Sequence, residues 1–348
     1  TNVRSFMANI ETPAHGVLLP EAMETNMLAA FTKYIHRANK RIAVAELLGA
    51  DPESLNSSMQ MMMPKDKAYF ERLLGDALSL GPAAERGFAE EDWDAFGLGW
   101  ALDQWQGFLG HALGQGFSHE ELLASGLVRQ SDGGRMYDML RKRVAIPIRD
   151  ERGRAIAFGG RVIEPLEQPK YLNTPETRHY HKSRVLFGLS QGLPALRQSK
   201  RALLVEGYLD VMRLHQHGFA EAVATCGTAL TEEHLKLLAR HAERVVLMFD
   251  GDEAGVKAAL RSAPLFLNSG LEARVVLLPD QLDPDDYLRR HPREAFAALL
   301  ADATPLLEFL VFQLAQRHGR SMQGRQQTLD ALVPVLSEVR QPAARDIT

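Results

Sequence analysis

The chain has 348 residues, of which 45% are hydrophobic and 24% charged, with a formal net charge of -4. That is enough chain for two or three domains, each with its own core. A single cysteine, Cys226, excludes an internal disulfide and any multi-cysteine zinc site, and fits a reducing compartment. The longest apolar stretch near the C-terminus, Pro305–Ala315, is broken by Glu308 and Gln313 and cannot span a bilayer.

In chain order, no basic segment followed by an apolar one opens the sequence, so no secretory signal is expected, and a start at Thr1 reads as a processed or excised chain. Pro20–Gly49 reads as one or two amphipathic helices, with Leu28, Phe31, Ile35, Ile42, Ala45 and Leu48 at helical spacing. Asp51-Pro52 and Met59–Pro64 read as linker. From Ala68 to Val128 the pattern is again helical, interrupted by glycines that include Gly97 and Gly99. Those two do not make a dinucleotide loop, because no strand precedes them and the third glycine is missing.

The pattern changes at Tyr137. Val144–Ile148 and Ala155–Phe158 are β-prone runs joined by a turn at Asp150–Gly153, and Pro169–Thr177 reads as an irregular loop. From Arg129 to Arg161 there are nine Lys/Arg against four Asp/Glu, so the acidic average conceals a basic segment. Basic residues here, and carboxylates gathered further on, suit a protein that grips phosphates and holds metal ions.

Residues 200–280 then alternate. Strands are expected at Ala202–Val205, Ala222–Thr225, Val245–Phe249 and Ala273–Leu277, with helices at Tyr208–His217, from Thr231 to Ala242, and at Glu253–Ser269. In Thr231-Glu232-Glu233-His234 a capping hydroxyl and two acids mark a helix start. Such alternation makes a parallel sheet with right-handed crossovers. Helices follow at Arg293–Ala301, Pro305–Arg317 and Gln323–Glu338.

Ligands of an open α/β sheet bind outside the carboxyl ends of its strands. Glu206 follows the first strand, Asp250 and Asp252 follow the third, and Asp283, Asp285 and Asp286 follow the fourth. An acid at a strand end can also be a helix cap, a reading that suits Asp252, but capping calls for one acid rather than six from three loops. Hard divalent cations take such oxygen ligands together with substrate phosphates, and a pair of them can clamp an in-line phosphoryl displacement. His215 and His217 do not share a helical face, His179 and His181 lack partners for zinc, and Cys226 reads as a buried structural thiol. No Gly-x-x-x-x-Gly-Lys-[Ser/Thr] motif occurs.

Leu204–Asp210, Gly227–Thr231, Phe249–Gly255 and Asp283–Asp286 resemble the Toprim domain. Upstream, Arg143–Asp150, Ala157–Arg161 and Pro169–Thr177 resemble the subdomain that accompanies it in DnaG-type bacterial primases, so that the resemblance covers roughly residues 84–290. It implies an α/β fold: a Toprim parallel sheet with flanking helices at 199–290, a mixed α/β basic subdomain before it at 65–198, and a helical subdomain after it at 291–348. Residues 1–64 stand apart as a helical segment of unassigned role. The implied activity is RNA primer synthesis on single-stranded DNA by two-metal nucleotidyl transfer. The implied cofactor is Mg²⁺, with Mn²⁺ as its substitute, and no zinc site lies within the chain. Glu206, Asp250 and Asp252 would be the core ligands, completed by Asp210, Asp283 and Asp285. Arg161, Lys170, Lys182, Arg141, Arg143 and Arg86 would contact nucleotide phosphates or template. Implied partners are the template, ribonucleoside triphosphates, a single-stranded DNA-binding protein, and the replicative helicase through a region beyond this chain. No membrane partner is expected, and the implied location is the cytoplasm, at the nucleoid and replisome. A Toprim nuclease or topoisomerase, or a non-catalytic nucleic-acid or nucleotide-binding module, are the alternatives.

Overall fold

The structure is a computed structural model that describes residues 25–35, 95–162, 169–249, 253–319 and 321–339. The chain divides into two compact units, Thr1–His181 and Lys182–Thr348.

In the first unit, helix α1 (residues 25–35) buries Met27, Leu28, Phe31 and Ile35. Three of these are positions whose spacing predicted a helix. Ile42, Ala45 and Leu48 lie outside the described residues. A four-stranded antiparallel sheet runs β1-β4-β5-β6, made of β1 (Gly99–Ala101), β4 (Arg143–Arg149), β5 (Ala155–Arg161) and β6 (Tyr171–Asn173). Phe31 packs edge-on against Phe108 and Phe158, with ring centroids 4.7 Å apart in both pairs. The described residues of the unit also form helices α2 (Gly107–Gly114) and α3 (His119–Ala124) and the hairpin β2 (Val128–Gln130) and β3 (Met136–Asp138).

Two of these strands depart from the sequence expectations. Gly99–Ala101 falls in the stretch read as helical, but it is a strand: a Cβ on Gly99 would stand 2.5 Å from Ile35 Cγ1, so the glycine serves close packing on α1. Tyr171–Asn173 pairs with β5 inside what read as an irregular loop. Three residues between prolines are too few to display a period of two.

Asp138 caps α2, its carboxylate accepting the N–H of Phe108 at 2.7 Å and of Leu109 at 2.9 Å. Burial outweighs these bonds and raises the carboxyl from 3.8 to about 6. A folded pKa above the unfolded one means that the folded state holds the proton more tightly. The stability from that proton is complete below about pH 4 and is lost as pH rises through about 6, a difference of about 3 kcal/mol. The urea midpoint should therefore rise as pH is lowered from 7.5 to 5, and Asp138→Asn should remove that part of the rise. Identical pH profiles for parent and variant would refute this account.

In the second unit, a six-stranded sheet has the order β12-β11-β10-β8-β9-β7. Its interior strands β8 (Arg201–Val205), β9 (Ala222–Thr225), β10 (Arg244–Phe249) and β11 (Glu272–Leu277) are parallel. Parallel strands covered on both faces read as unbroken apolar runs, which is why all four stood out in the sequence. Helices α5 (Tyr208–Gln216), α6 (Glu232–Ala239) and α7 (Glu253–Ser269) make the crossovers. The edges are antiparallel two-residue strands, β7 (Leu186–Phe187) and β12 (Thr304–Pro305). Strand β7 and all but the last residue of helix α4 (Leu189–Ser199) fall within the span 65–198 assigned from sequence to the basic subdomain, yet they lie in the second unit. A two-residue strand carries no readable period. Helix α8 (Pro284–Arg290) precedes α9 (Arg293–Ala301), α10 (Leu306–His318) and α11 (Met322–Ser337). The core joins the sheet residues Leu204, Val223 and Leu247 to Phe266, Phe309 and Leu310 of the covering helices. No helix among the described residues is long and apolar enough to cross a membrane.

Candidate active site

The four parallel strands end at one edge of the sheet, and the acids follow those ends. Glu206 comes directly after β8 and is exposed. Asp210, in the first turn of α5, is buried: its Oδ2 accepts the Gly207 N–H at 3.1 Å and its Oδ1 accepts the Asp285 N–H at 3.3 Å. A Cβ on Gly207 would lie 2.6 Å from Asp210 Oδ2, so the glycine lets the chain fold back onto its own carboxylate. Asp283 caps α8 by accepting the Asp286 N–H at 2.7 Å.

Asp285 is 1% exposed, and its Oδ1 accepts the Nε–H of Arg213 at 2.8 Å. The sequence groups it with the metal-binding acids. The fold places it in a buried ion pair that ties α5 to α8. Asp210 is held instead by main-chain N–H groups on both of its oxygens. Burial, and then the negative charge of Asp283, raise its carboxyl to about 7.

Asp250, Asp252 and Arg86 lie outside the described residues. Strand β10 ends at Phe249, so Asp250 is the next residue in the chain. Among the described residues, no three His, Cys, Asp or Glu side chains are grouped to hold a metal. What the described residues do offer is hard oxygen donors at one sheet edge and a carboxyl pushed up by burial and, after it, by a neighbouring acid. Both fit a divalent cation that would offset the charge.

Lys182 opens a one-turn 3₁₀ helix, Lys182–Arg184, just before β7. Because β7 runs antiparallel to β9, with Leu186 opposite Thr225, this turn stands at the same edge as Glu206. Strand β7 lies two strands from β8, a spacing of roughly 10 Å.

The remaining cationic candidates lie in the first unit and behave differently from one another. Arg143 is buried, and its Nη1 donates to the Pro169 carbonyl at 2.8 Å, so it braces the loop that leads to Lys170. Gly160 makes room for it, since a Cβ there would meet Arg143 Cδ at 3.0 Å. Arg161 donates to the Tyr171 hydroxyl and lies 4.9 Å from that ring's centroid. Lys170 is exposed. Arg141 stacks on Trp105 at 3.3 Å from the ring centroid, with Tyr137 at 5.8 Å.

Trp105 is 54% exposed and packs edge-on against Tyr137, with centroids 5.7 Å apart. An open indole backed by a guanidinium is a surface on which a base can stack. Sequence reasoning passed over Trp105, Tyr137 and Tyr171. The available signal was the interleaving of aromatic and basic residues through this segment.

Comparison with known proteins agrees with this architecture. The N-terminal domain of the DNA primase catalytic core matches residues 82–192, and a Toprim-like domain matches 203–288. The DNA primase of Legionella pneumophila is 37% identical over 297 residues, which is 82% of this chain and 51% of that protein. That of Escherichia coli K12 is 39% identical over 259 residues, which is 73% of this chain and 44% of that protein. Among solved structures, a DnaG primase catalytic domain bound to single-stranded DNA superposes with a TM-score of 0.73 at 32% identity, covering 94% of this chain and 96% of that one. The RNA polymerase domain of Mycobacterium tuberculosis DnaG, in complex with a double-stranded DNA oligomer bearing a 6-nucleotide overhang, gives 0.69 at 30% identity, covering 95% and 96%. The fold is thus that of a primase catalytic core with a Toprim-like domain. The chain belongs to the DnaG-type DNA primases. It spans about half the length of the curated relatives it matches.

Proposed function

We propose that this chain synthesises short RNA primers on single-stranded DNA by Mg²⁺-dependent nucleotidyl transfer. The observation that carries the reading is the convergence of Glu206, Asp210 and Asp283 on the carboxyl edge of the parallel sheet, with Asp250 next in the chain after β10. Glu206, Asp250 and Asp252 would hold the metal, with Asp210 and Asp283 adding charge. The bound cation would offset the charge that develops on the α-phosphate, and Mn²⁺ would substitute for it.

The rest belongs to the chain's own side chains. Lys182, about two strands from Glu206, would contact the triphosphate. Asp285 acts through Arg213 to hold α8, and with it Asp283, over the edge. In the first unit, Lys170 and Arg161 would bind phosphate charge, Arg143 would fix the loop before Lys170, and Trp105 on Arg141 would stack template bases. Backbone charge and stacking hold a strand with little reading of its sequence, as a primase requires.

The test is labelled ribonucleotide incorporation on single-stranded DNA with Mg²⁺ or Mn²⁺, comparing the chain with Asp250→Asn. Short RNA from the parent and none from the variant supports the reading. DNA cleavage or relaxation in place of RNA would replace it with a nuclease or topoisomerase, and nucleotide binding without any chemistry would leave a binding module. For the template surface, Trp105→Ala should weaken binding of oligo-dT by about 1–3 kcal/mol, read by fluorescence anisotropy at fixed salt. Unchanged affinity would remove Trp105 from the template path.

A further inference from the structure

We propose that His234, at the start of α6, is a positioning residue for Lys182: its imidazole holds the main chain of Lys182 at the carboxylate edge of the sheet and so sets where the ammonium group meets a triphosphate. The inference rests on reading Lys182 as a phosphate-binding residue.

The geometry is a small closed circuit. Thr231 Oγ1 accepts the His234 N–H at 3.2 Å, and His234 Nδ1 accepts the Thr231 N–H at 3.2 Å, the reciprocal pair of a capping box. An Nδ1 that accepts leaves the proton on Nε2. That nitrogen lies 2.8 Å from the Lys182 carbonyl, which can only accept. The same threonine hydroxyl donates to the Ser183 carbonyl at 2.6 Å. Cys226 Sγ lies 3.7 Å from the Val185 carbonyl. Cys226 and Thr231 of the β9–α6 connection and His234 of α6 therefore hold the turn that carries Lys182. The His234 ring is fully buried, at 0% exposure, and burial holds it below its ordinary pKa, in keeping with the neutral tautomer.

A helix cap alone would need none of this reach. Serine, threonine, aspartate or asparagine caps a helix more simply, and glutamate or glutamine completes a capping box. What the imidazole adds is a second nitrogen, on the far side of the ring from the cap, directed at a residue 52 positions away in the chain.

Asparagine and glutamine separate the two contacts. In His234→Asn the amide oxygen can take the place of Nδ1, so the cap survives while the bond to Lys182 is lost. In His234→Gln the amide N–H can take the place of Nε2–H. Binding of ATP with Mn²⁺ is measured by calorimetry on the whole chain, with a thermal melt of each variant. His234→Asn is expected to weaken ATP about tenfold at nearly parental melting temperature. His234→Gln should stay within about twofold of the parent, Lys182→Ala should lose about tenfold, and His234→Asn combined with Lys182→Ala should bind no worse than Lys182→Ala alone.

If Lys182→Ala weakens ATP while His234→Asn does not, the ring is only a staple of the fold and the proposal fails, though the reading of Lys182 stands. If the two losses add, the ring acts on something other than Lys182, and the proposal fails again. If Lys182→Ala binds ATP like the parent, the reading of Lys182 is itself wrong and the positioning role goes with it. Should the asparagine variant melt far below the parent, His234→Gln decides by itself, since a tenfold loss in that variant overturns the proposal and near-parental affinity supports it.

Discussion

Glu206→Gln is expected to reduce primer synthesis by about a thousandfold or more while leaving the protein as stable as the parent. Glu206 is exposed and follows the last residue of β8 directly. No core packing is disturbed by exchanging one carboxylate oxygen for an amide nitrogen, and exposed substitutions of this kind stay within about 0.5 kcal/mol. What changes is the charge available to a hard cation at the sheet edge. Primer yield, a thermal melt and Mn²⁺ titration on the same sample separate the effects. The expected combination is lost synthesis, weakened Mn²⁺ binding and an unchanged melt. Parental yield in the variant would remove Glu206 from the catalytic set.

Arg213→Met acts in the opposite sense, with a large loss of stability at a residue that contacts the reacting groups only through others. The Arg213 and Asp285 side chains are 4% and 1% exposed, and their atoms meet at 2.8 Å. Removing the guanidinium leaves a carboxylate buried without its cation, beside Asp210, whose own carboxyl is already raised to about 7. Breaking one side of a buried pair costs about 3–5 kcal/mol, whereas replacing both partners with apolar residues of similar size is often neutral. Urea unfolding should show that loss for Arg213→Met and recovery of most of it in the double variant with Asp285→Leu. A single variant within about 1 kcal/mol of the parent would show that the pair contributes little.

Much of the second unit was legible because its strands are buried on both faces. Ala222–Thr225 and Glu253–Ser269 coincide with the elements found, and Ala202–Val205, Val245–Phe249 and Ala273–Leu277 each fall one residue short at the N-terminal end. The acid-bearing loops were legible for the same reason, since a clear strand has a clear end. Contacts across long separations were not. Arg213 and Asp285 are 72 residues apart, and neither neighbourhood in sequence marks its charge as buried and paired. His234 read only as part of a helix start, because nothing beside it indicates a carbonyl 52 residues away. Trp105 sat in a glycine-broken stretch whose helical pattern hid both the strand Gly99–Ala101 and the exposed ring. Helix α8 went unread because Asp283–Asp286 drew attention as ligands, while Pro284 at its first position and Asp283 as its cap are ordinary signals of a helix start.

The two-residue strands that border the six-stranded sheet bear on self-association. A sheet edge is a row of unpaired amides and carbonyls that can recruit a strand from another molecule, and longer edges recruit more readily. Here the long parallel strands are all interior, and β7 and β12 close the two sides with segments too short to template such pairing. Pro305, in β12, has no amide hydrogen to donate. The arrangement keeps a hydrophobic parallel sheet from growing into fibrils through its sides, so a long exposed strand in place of β12 would be the change that invites aggregation.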